Sequence, residues 1–324
     1  MAPQKVIIDA DPGVGDALAV CLALLDPELD VLAVTGVGGR ISAAQAGSNL
    51  WSIIEAIDPP KRPRLGIADS PDSQYELVRF SERFGDDADV TRRLNGELGL
   101  GDWAVGSVQP YHAKSSAKLM IEISREFPGE VTVLTLGPLT TMAWAMELDA
   151  EFPTRLKGLV SLAGTVTAPG DLTPAAEFNV GFEPDAARKV LRHPFTKTQV
   201  PLDVGNRTTL TFSHVQQFDF TEATLGSQLL KSLLSFGLRA CHQHLGLEGF
   251  GFPEAAAIAA VSRPSLFTRQ QLSVDVETEG RITRGMTVFD RRPVRTWRPN
   301  VDVLTDGDSQ GLHDYVMTTL KKAT

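Results

Sequence analysis

The sequence predicts an α/β fold, a doubly wound and mostly parallel sheet of the kind built from repeated strand–helix units, with additional strands near the C-terminus. Three observations carry this. Short apolar runs without alternation recur along the chain and read as strands buried on both faces. Each run is followed by an apolar or amphipathic helical stretch. Pro and Gly pairs punctuate the junctions.

The first run is Val6-Ile7-Ile8. After the Pro12-Gly13 turn, Asp16 is expected to open an apolar helix through Leu25, closed by Asp26-Pro27. Val31–Val34 is a second buried strand, so strand, helix and strand form a βαβ unit with a right-handed crossover. Residues 42–57 read as a helix that stops before Pro59-Pro60. The polar stretch 68–108, rich in Asp, Ser, Gly and Arg, reads as a long loop or small helical excursion of the sort used as a lid. Residues 113–127 form an amphipathic helix, Val131–Thr135 a strand, and 139–147 a helix after Gly137-Pro138. Leu159–Leu162 and Val200–Asp203 are strands on either side of a helix near Pro184–Leu191. Helices over 226–244 and 254–261 follow, then strands near Leu272–Glu277, Met286–Phe289 and Val301–Leu304, and a last helix from about Leu312. With no repeat, low-complexity segment or linker, residues 1–324 are expected to form one domain.

A chain of 324 residues, 42% hydrophobic and 22% charged, can bury a large core without disulfides. Cys21 and Cys241 each lie in an apolar helical pattern and read as small buried hydrophobes. The net charge of −9 argues against a nucleic-acid partner. Val6-Ile7-Ile8 stops at Asp9, so no signal peptide is expected, and no stretch approaches the roughly 18 apolar residues of a membrane span. The expectation is a cytoplasmic protein acting on neither nucleic acid nor membrane.

Chemistry concentrates at the end of the first strand, where Asp9, Asp11 and Asp16 surround a Pro-Gly-Val-Gly turn. In doubly wound sheets ligands bind at the carboxyl ends of the strands. Alternation along an extended segment points Asp9 and Asp11 the same way, and Asp16 returns from the helix N-terminus, whose dipole favours its ionised form. Clustered carboxylates repel unless a cation is present, and such oxygens suit Ca²⁺ or Mg²⁺. A plainer reading takes Asp16 as an N-cap and Asp11-Pro-Gly as a turn.

Asp9-x-Asp-Pro-Gly-x-x-Asp16-Ala resembles the amino-terminal signature of the inosine-uridine-preferring nucleoside hydrolases. Further segments resemble that family in the same order: Pro128–Thr140, Thr173-Pro-Ala-Ala-Glu-Phe-Asn179, Glu183-Pro-Asp-Ala-Ala187, Gly280–Asp290 and Pro299-Asn-Val301. A haloacid-dehalogenase-like phosphatase also places Asp-x-Asp after a first strand, but normally continues Gly-Thr or Gly-Val. The resemblance implies calcium-dependent hydrolysis of the N-glycosidic bond of a ribonucleoside or related N-riboside. It implies Asp11 as calcium ligand and general base, Asp16 and the Leu136 carbonyl as further calcium ligands, and Glu177 and Asn179 on the ribose hydroxyls. A homodimer or homotetramer acting on a small nucleoside-like substrate is implied as well.

The chain departs from that pattern at the site itself. Gly15 replaces an aspartate expected on the ribose 2′-hydroxyl, Arg40 an asparagine if Asn49 fixes the register, and Asp171 an asparagine expected on the 5′-hydroxyl. Pro253-Glu254 stands where the family has His-Asp, which keeps a carboxylate for calcium but removes a proton donor to the leaving base. A plainer reading has Pro253 and Glu254 simply starting a helix. Arg40 suits either a substrate with an anionic group or an internal pair with Asp16 or Asp171, while the plainer reading makes it a surface residue. Asn95 replaces a flap histidine, and of His242 and His244 the latter is the better substitute acid. The alternative function is a weakly active or non-catalytic sugar- or nucleoside-binding relative.

Overall fold

Val6, Ile7 and Ile8 have no exposed surface, because their strand runs through the middle of a large sheet. The computed structural model describes residues 2–68, 86–104, 114–221 and 224–324. Its strands are β1 (Gln4–Ala10), β2 (Leu29–Gly36), β3 (Arg64–Ile67), β4 (Lys114–Ser115), β5 (Thr132–Thr135), β6 (Gly158–Leu162) and β7 (Lys197–Val200). The remainder are β8 (Thr209–Thr211), β9 (Gly249–Gly251), β10 (Phe267–Leu272), β11 (Val274–Val276), β12 (Thr287–Phe289) and β13 (Val301–Gly307). Nine of them form one sheet in the order β10-β13-β7-β6-β5-β1-β2-β3-β4. All its pairings are parallel except β10 with β13, which is antiparallel. The doubly wound sheet with extra C-terminal strands is therefore present as expected.

Helices cover both faces. Val14–Leu25, Ala43–Ile57, Leu225–Leu245, Pro253–Ser262 and Ser309–Leu320 share one core with Val6, Ile8 and Val34. Ser116–Glu126, Thr140–Leu148 and Pro184–Arg192 share the other with Ile7, Ala33 and Val133. Alternate residues of β1 thus enter opposite cores, which is why the run carries no polar face. Among the described residues no helix is long and apolar enough to cross a membrane.

Several element boundaries differ from the sequence reading. The first helix begins at Val14 rather than Asp16, because the Asn95 side chain, distant in sequence, accepts from the Val14 N–H at 2.9 Å and caps it. Val200–Asp203 is not a strand: β7 stops at Val200, Pro201 has no N–H for the ladder, and Leu202–Gly205 turns helically. The expected strand Leu272–Glu277 is the junction of two, with β10 on β13 and β11 on β12. The last helix starts at Ser309, capped by the Asp308 carboxylate on the Gly311 N–H at 3.0 Å. Of the polar stretch 68–108, residues 69–85 and 105–108 lie outside the described residues; the rest includes a helix at Asp86–Asn95.

Candidate active site

From β1 the chain is laid outward through β2, β3 and β4 on one side, then returns to β5 on the other. The order therefore reverses at β1, and the crevice beyond its carboxyl end is where this fold binds ligands. Two backbone bonds hold that end together: the Leu136 N–H donates to the Asp9 carbonyl at 2.8 Å and the Val37 N–H to the Ala10 carbonyl at 3.0 Å.

Asp11 lies in this crevice and is 1% exposed. Its carboxylate accepts the Arg40 backbone N–H at 2.6 Å. Gly39 and Gly137 press their backbones so close that a Cβ on either would strike the Asp11 carboxylate. Asp16, on the first turn of helix Val14–Leu25, lies close enough to Asp11 for its charge to act on the Asp11 carboxylate. Burial first, and the Asp16 charge next, push Asp11 well above the ordinary carboxylate range. Burial, then the Glu254 charge, push Asp16 up to about 7.

Asp9 joins this group less fully than its spacing suggests. Its carboxylate is wholly buried against β2, where the Thr35 hydroxyl donates to it at 2.6 Å, while Oδ2 has no hydrogen bond among the described residues. Burial pushes it up to about 7.

The segment after β6 supplies the opposite wall. Glu177 caps the helix Phe178–Phe182 and accepts from the backbone N–H groups of Gly164 (2.8 Å), Asn179 (2.8 Å) and Val180 (3.2 Å). Burial, with the Asp171 charge beside it, pushes Glu177 up to about 8. Asn179 Nδ2 donates to the Leu136 carbonyl at 2.6 Å and the Leu162 carbonyl at 2.9 Å, tying the ends of β5 and β6 together. Asp171 Oδ1 accepts the Phe178 N–H at 2.8 Å. Asp203 holds the same loop from below by accepting the N–H groups of Val166, Thr167 and Ala168; nothing in its sequence neighbourhood signals this.

Arg40 reaches across the mouth. Its guanidinium lies 4.1 Å from the Phe178 ring centroid and 3.4 Å from Asp171 Oδ2, with 29% of the side chain exposed. It is neither a solvated surface residue nor paired in contact with Asp16. Glu254, in the first turn of helix Pro253–Ser262, sends its carboxylate over Gly15; a Cβ there would meet Oε1 at 2.5 Å. Glu254 Oε2 is buried without a hydrogen bond among the described residues, and burial pushes the group up to about 7.

Asp11, Asp16, Glu254, Glu177, Asn179, Asp171, Arg40 and Leu136 therefore gather on one crevice. His244 does not join them: it is exposed on the last turn of Leu225–Leu245, and its neighbour His242 pairs with Glu248 at 3.7 Å. Asn95, at the flap histidine's place, caps the aspartate helix. In donor chemistry the site fits a hard divalent cation, since it offers buried carboxylates, an unpartnered carboxylate oxygen and a backbone carbonyl. Among the described residues, however, no three acidic or imidazole side chains converge as a ready-made metal centre.

The family model described as inosine-uridine preferring nucleoside hydrolase matches residues 6–314. The chain is 31% identical over 320 residues to a pyrimidine-specific ribonucleoside hydrolase of Salmonella gallinarum, covering 98% of each. It is 30% identical to uridine nucleosidase 1 of Arabidopsis thaliana, covering 98% of this chain and 94% of that one. Among solved structures, a purine-preferring ribonucleoside hydrolase from Gardnerella vaginalis superposes with a TM-score of 0.87 at 25% identity, covering 99% of both chains. A plant nucleoside hydrolase gives a TM-score of 0.83 at 26% identity, covering 98% of this chain and 99% of that one.

Proposed function

Because the chain belongs to the inosine-uridine preferring nucleoside hydrolase family, and is thereby an N-glycosyl hydrolase, we propose that it hydrolyses a small ribonucleoside with Asp11 as general base. The observation that carries the assignment is the placement of Asp11: buried, aimed by the Arg40 N–H, and set against Asp16 at the switch point of the sheet. Asp11 takes a proton from water, the water oxygen attacks the anomeric carbon, and the C–N bond breaks with its electron pair leaving on the base. Positive charge builds on the ribose as this happens, and the ionised forms of buried Glu177 and exposed Asp171, which flank the sugar pocket, stabilise it. Both Glu177 oxygens are taken up by backbone N–H groups, so this carboxylate is rigid. Asn179 spends its Nδ2 on two carbonyls, which leaves Oδ1 for a ribose hydroxyl. Asp171 and Arg40 bound the outer end of the sugar pocket.

Asp11, Asp16, Glu254 and the Leu136 carbonyl would hold a calcium ion, which when bound makes a nearby water easier to deprotonate. As the resemblance implies, the proposal includes a homodimeric or homotetrameric assembly in the cytoplasm, with residues 1–324 as one domain. A weakly active binding relative is the second reading. What favours it is Pro253 at the start of its helix, where the family's proton donor would stand, together with exposed His244.

Base release from a panel spanning uridine, cytidine, inosine and guanosine, with calcium present, tests the proposal. The wild type should release at least one base. Asp11→Asn should lower kcat by about 10²–10⁴ with an unchanged circular dichroism spectrum. Full activity in that variant removes Asp11 as the base, and no release by the wild type leaves the binding relative.

A further inference from the structure

The carboxyl ends of the strands carry the crevice, and a second cavity opens at the other end of the same sheet. Its volume is about 840 Å³, the size of a small-molecule site, and it lies where β7 and β13 begin and β10 ends. Lys197, the first residue of β7, lines it and is only 3% exposed. Its ammonium donates to the carbonyls of His193 and Phe195, the latter at 3.0 Å, and lies 4.5 Å from the Phe195 ring centroid. Among the described residues no carboxylate pairs with it, and burial pulls it down to about 8. A buried cation without a counter-ion is costly, and an anion brought beside it offsets that cost.

Another wall comes from a loop that the catalytic crevice leaves unused. Residues 291–298 hold Arg291, Arg292, Arg295 and Arg298 and no carboxylate, in a chain of net charge −9. The loop is anchored rather than loose. Asp290, with 1% of its side chain exposed, accepts from the Arg292 guanidinium at 2.8 Å and from the Thr296 N–H at 3.1 Å. The Ser273 hydroxyl donates to the Trp297 carbonyl at 2.9 Å. Trp297 and Arg298 then line the cavity, and Arg298 is exposed, with no hydrogen bond or ion pair among the described residues. Of the two carboxylates on the cavity, Asp275 is engaged by Arg188 at 2.9 Å and by Arg192 at 3.7 Å. Asp302 is left against Arg192, Lys197 and Arg298, so the lining is net cationic.

We propose that this cavity is a second ligand site, remote from the crevice, for a phosphate monoester carried on a planar ring. Lys197 and Arg298 receive the phosphate, for which a guanidinium fork and an ammonium are both suited. Trp297, 42% exposed, offers an indole face to the ring. A nucleic acid is the other phosphate ligand with rings, but a concave site on a chain of net charge −9 opposes an extended polyanion. The two ends of the sheet thus differ in what they admit. Asp11, Asp16, Glu254 and Glu177 repel a phosphate at the crevice, whereas the far end attracts it. The inference does not rest on the proposed function, because none of its residues belongs to the crevice.

The test is uridine 5′-monophosphate titrated into the metal-free full chain and followed by calorimetry. The wild type should bind one molecule per chain, and no saturable binding overturns the proposal. Arg298→Gln should weaken binding roughly tenfold or more, as should Lys197→Met, which keeps the length of the side chain without its charge. Arg298 is exposed, so its variant reads the site even where Lys197→Met fails to fold. Arg291→Gln removes the same charge from the same loop without lining the cavity, and should change the affinity by less than about threefold. Equal affinity in Arg298→Gln and wild type overturns the proposal, as does an equal loss in Arg291→Gln. Orthophosphate should bind more weakly than the nucleotide, and Trp297→Ala should reduce the affinity for the nucleotide alone; equal affinities for the two ligands in the wild type remove the ring from the site. Asp11→Asn should bind the nucleotide as the wild type does, and binding lost there but kept in Arg298→Gln puts the nucleotide in the crevice and overturns the inference. Base release from nucleosides is read separately, so either claim can fail while the other stands.

Discussion

Gly15→Ala isolates the contact between the aspartate helix and Glu254. The new Cβ would stand 2.5 Å from Glu254 Oε1 and 2.7 Å from both Cδ and Oε2, well inside van der Waals contact, so the carboxylate must swing away. The stability change is expected to be small. Alanine inside a helix gains about 1 kcal/mol over glycine, and an off-rotamer Glu254 costs a comparable amount, about 1 kcal/mol. Little bonding is lost, because Glu254 Oε2 has no hydrogen bond among the described residues. The effect on turnover should be large, since displacing a group at a reacting centre by about 1 Å lowers the rate by roughly 10²-fold. That corresponds to about 2.7 kcal/mol in kcat/KM. The assay is a double-mutant cycle of wild type, Gly15→Ala, Glu254→Ala and the double variant, reading kcat/KM for nucleoside cleavage alongside the thermal midpoint. If overlap with Glu254 is the cause, the double variant is no worse than Glu254→Ala alone, and the coupling approaches the whole 2.7 kcal/mol or so. Wild-type kcat/KM in Gly15→Ala, or strictly additive losses, refutes the reasoning.

Stability of the metal-free protein should depend on pH in a direction set by its raised carboxyls. Asp9, Asp16 and Glu254 are pushed to about 7 and Glu177 to about 8, in each case chiefly by burial. The folded chain therefore holds protons that the unfolded chain has released, and these groups favour folding most below about pH 4. Their contribution is lost as pH rises through 7 to 8, on the order of 1 kcal/mol per pH unit for each group titrating. The thermal midpoint should fall from about pH 5 to 8 and saturating calcium should flatten that fall; a midpoint that climbs across the range contradicts the assignment. Asn179→Leu strips the Leu136 and Leu162 carbonyls of their shared donor. At about 1–3 kcal/mol per unsatisfied buried group, urea unfolding should register a loss of roughly 2–6 kcal/mol, and a loss below about 1 kcal/mol would mean that water replaces the amide.

Much of the architecture was legible because local rules and the global fold agree. β1 has one core on each side, so Val6-Ile7-Ile8 has to be apolar throughout, and that pattern survives in a linear reading. The gathering of Asp11, Asp16, Glu177 and Asn179 was legible for a different reason: each belongs to a segment resembling one family, and that resemblance carried them into one crevice before any contact was known. The start of the first helix moved because it is set from outside its segment. Val14 starts its helix because Asn95 reaches it, and no feature of residues 9–16 records a side chain about eighty positions away.

The identity of each side chain at the site, and the loss of carboxylate at Gly15 and of imidazole at Pro253, were matters of the chain's own order of residues. What those losses mean was settled in three dimensions. Gly15 is not an empty place, for the Glu254 carboxylate from a helix more than two hundred residues on stands where its side chain would be. Arg40 is not a surface residue, for it spans from Asp11 to Asp171 over Phe178. A sequence specifies which charges exist, but their energies follow from burial and from distances of a few ångströms between segments remote in the chain, and folding alone sets those.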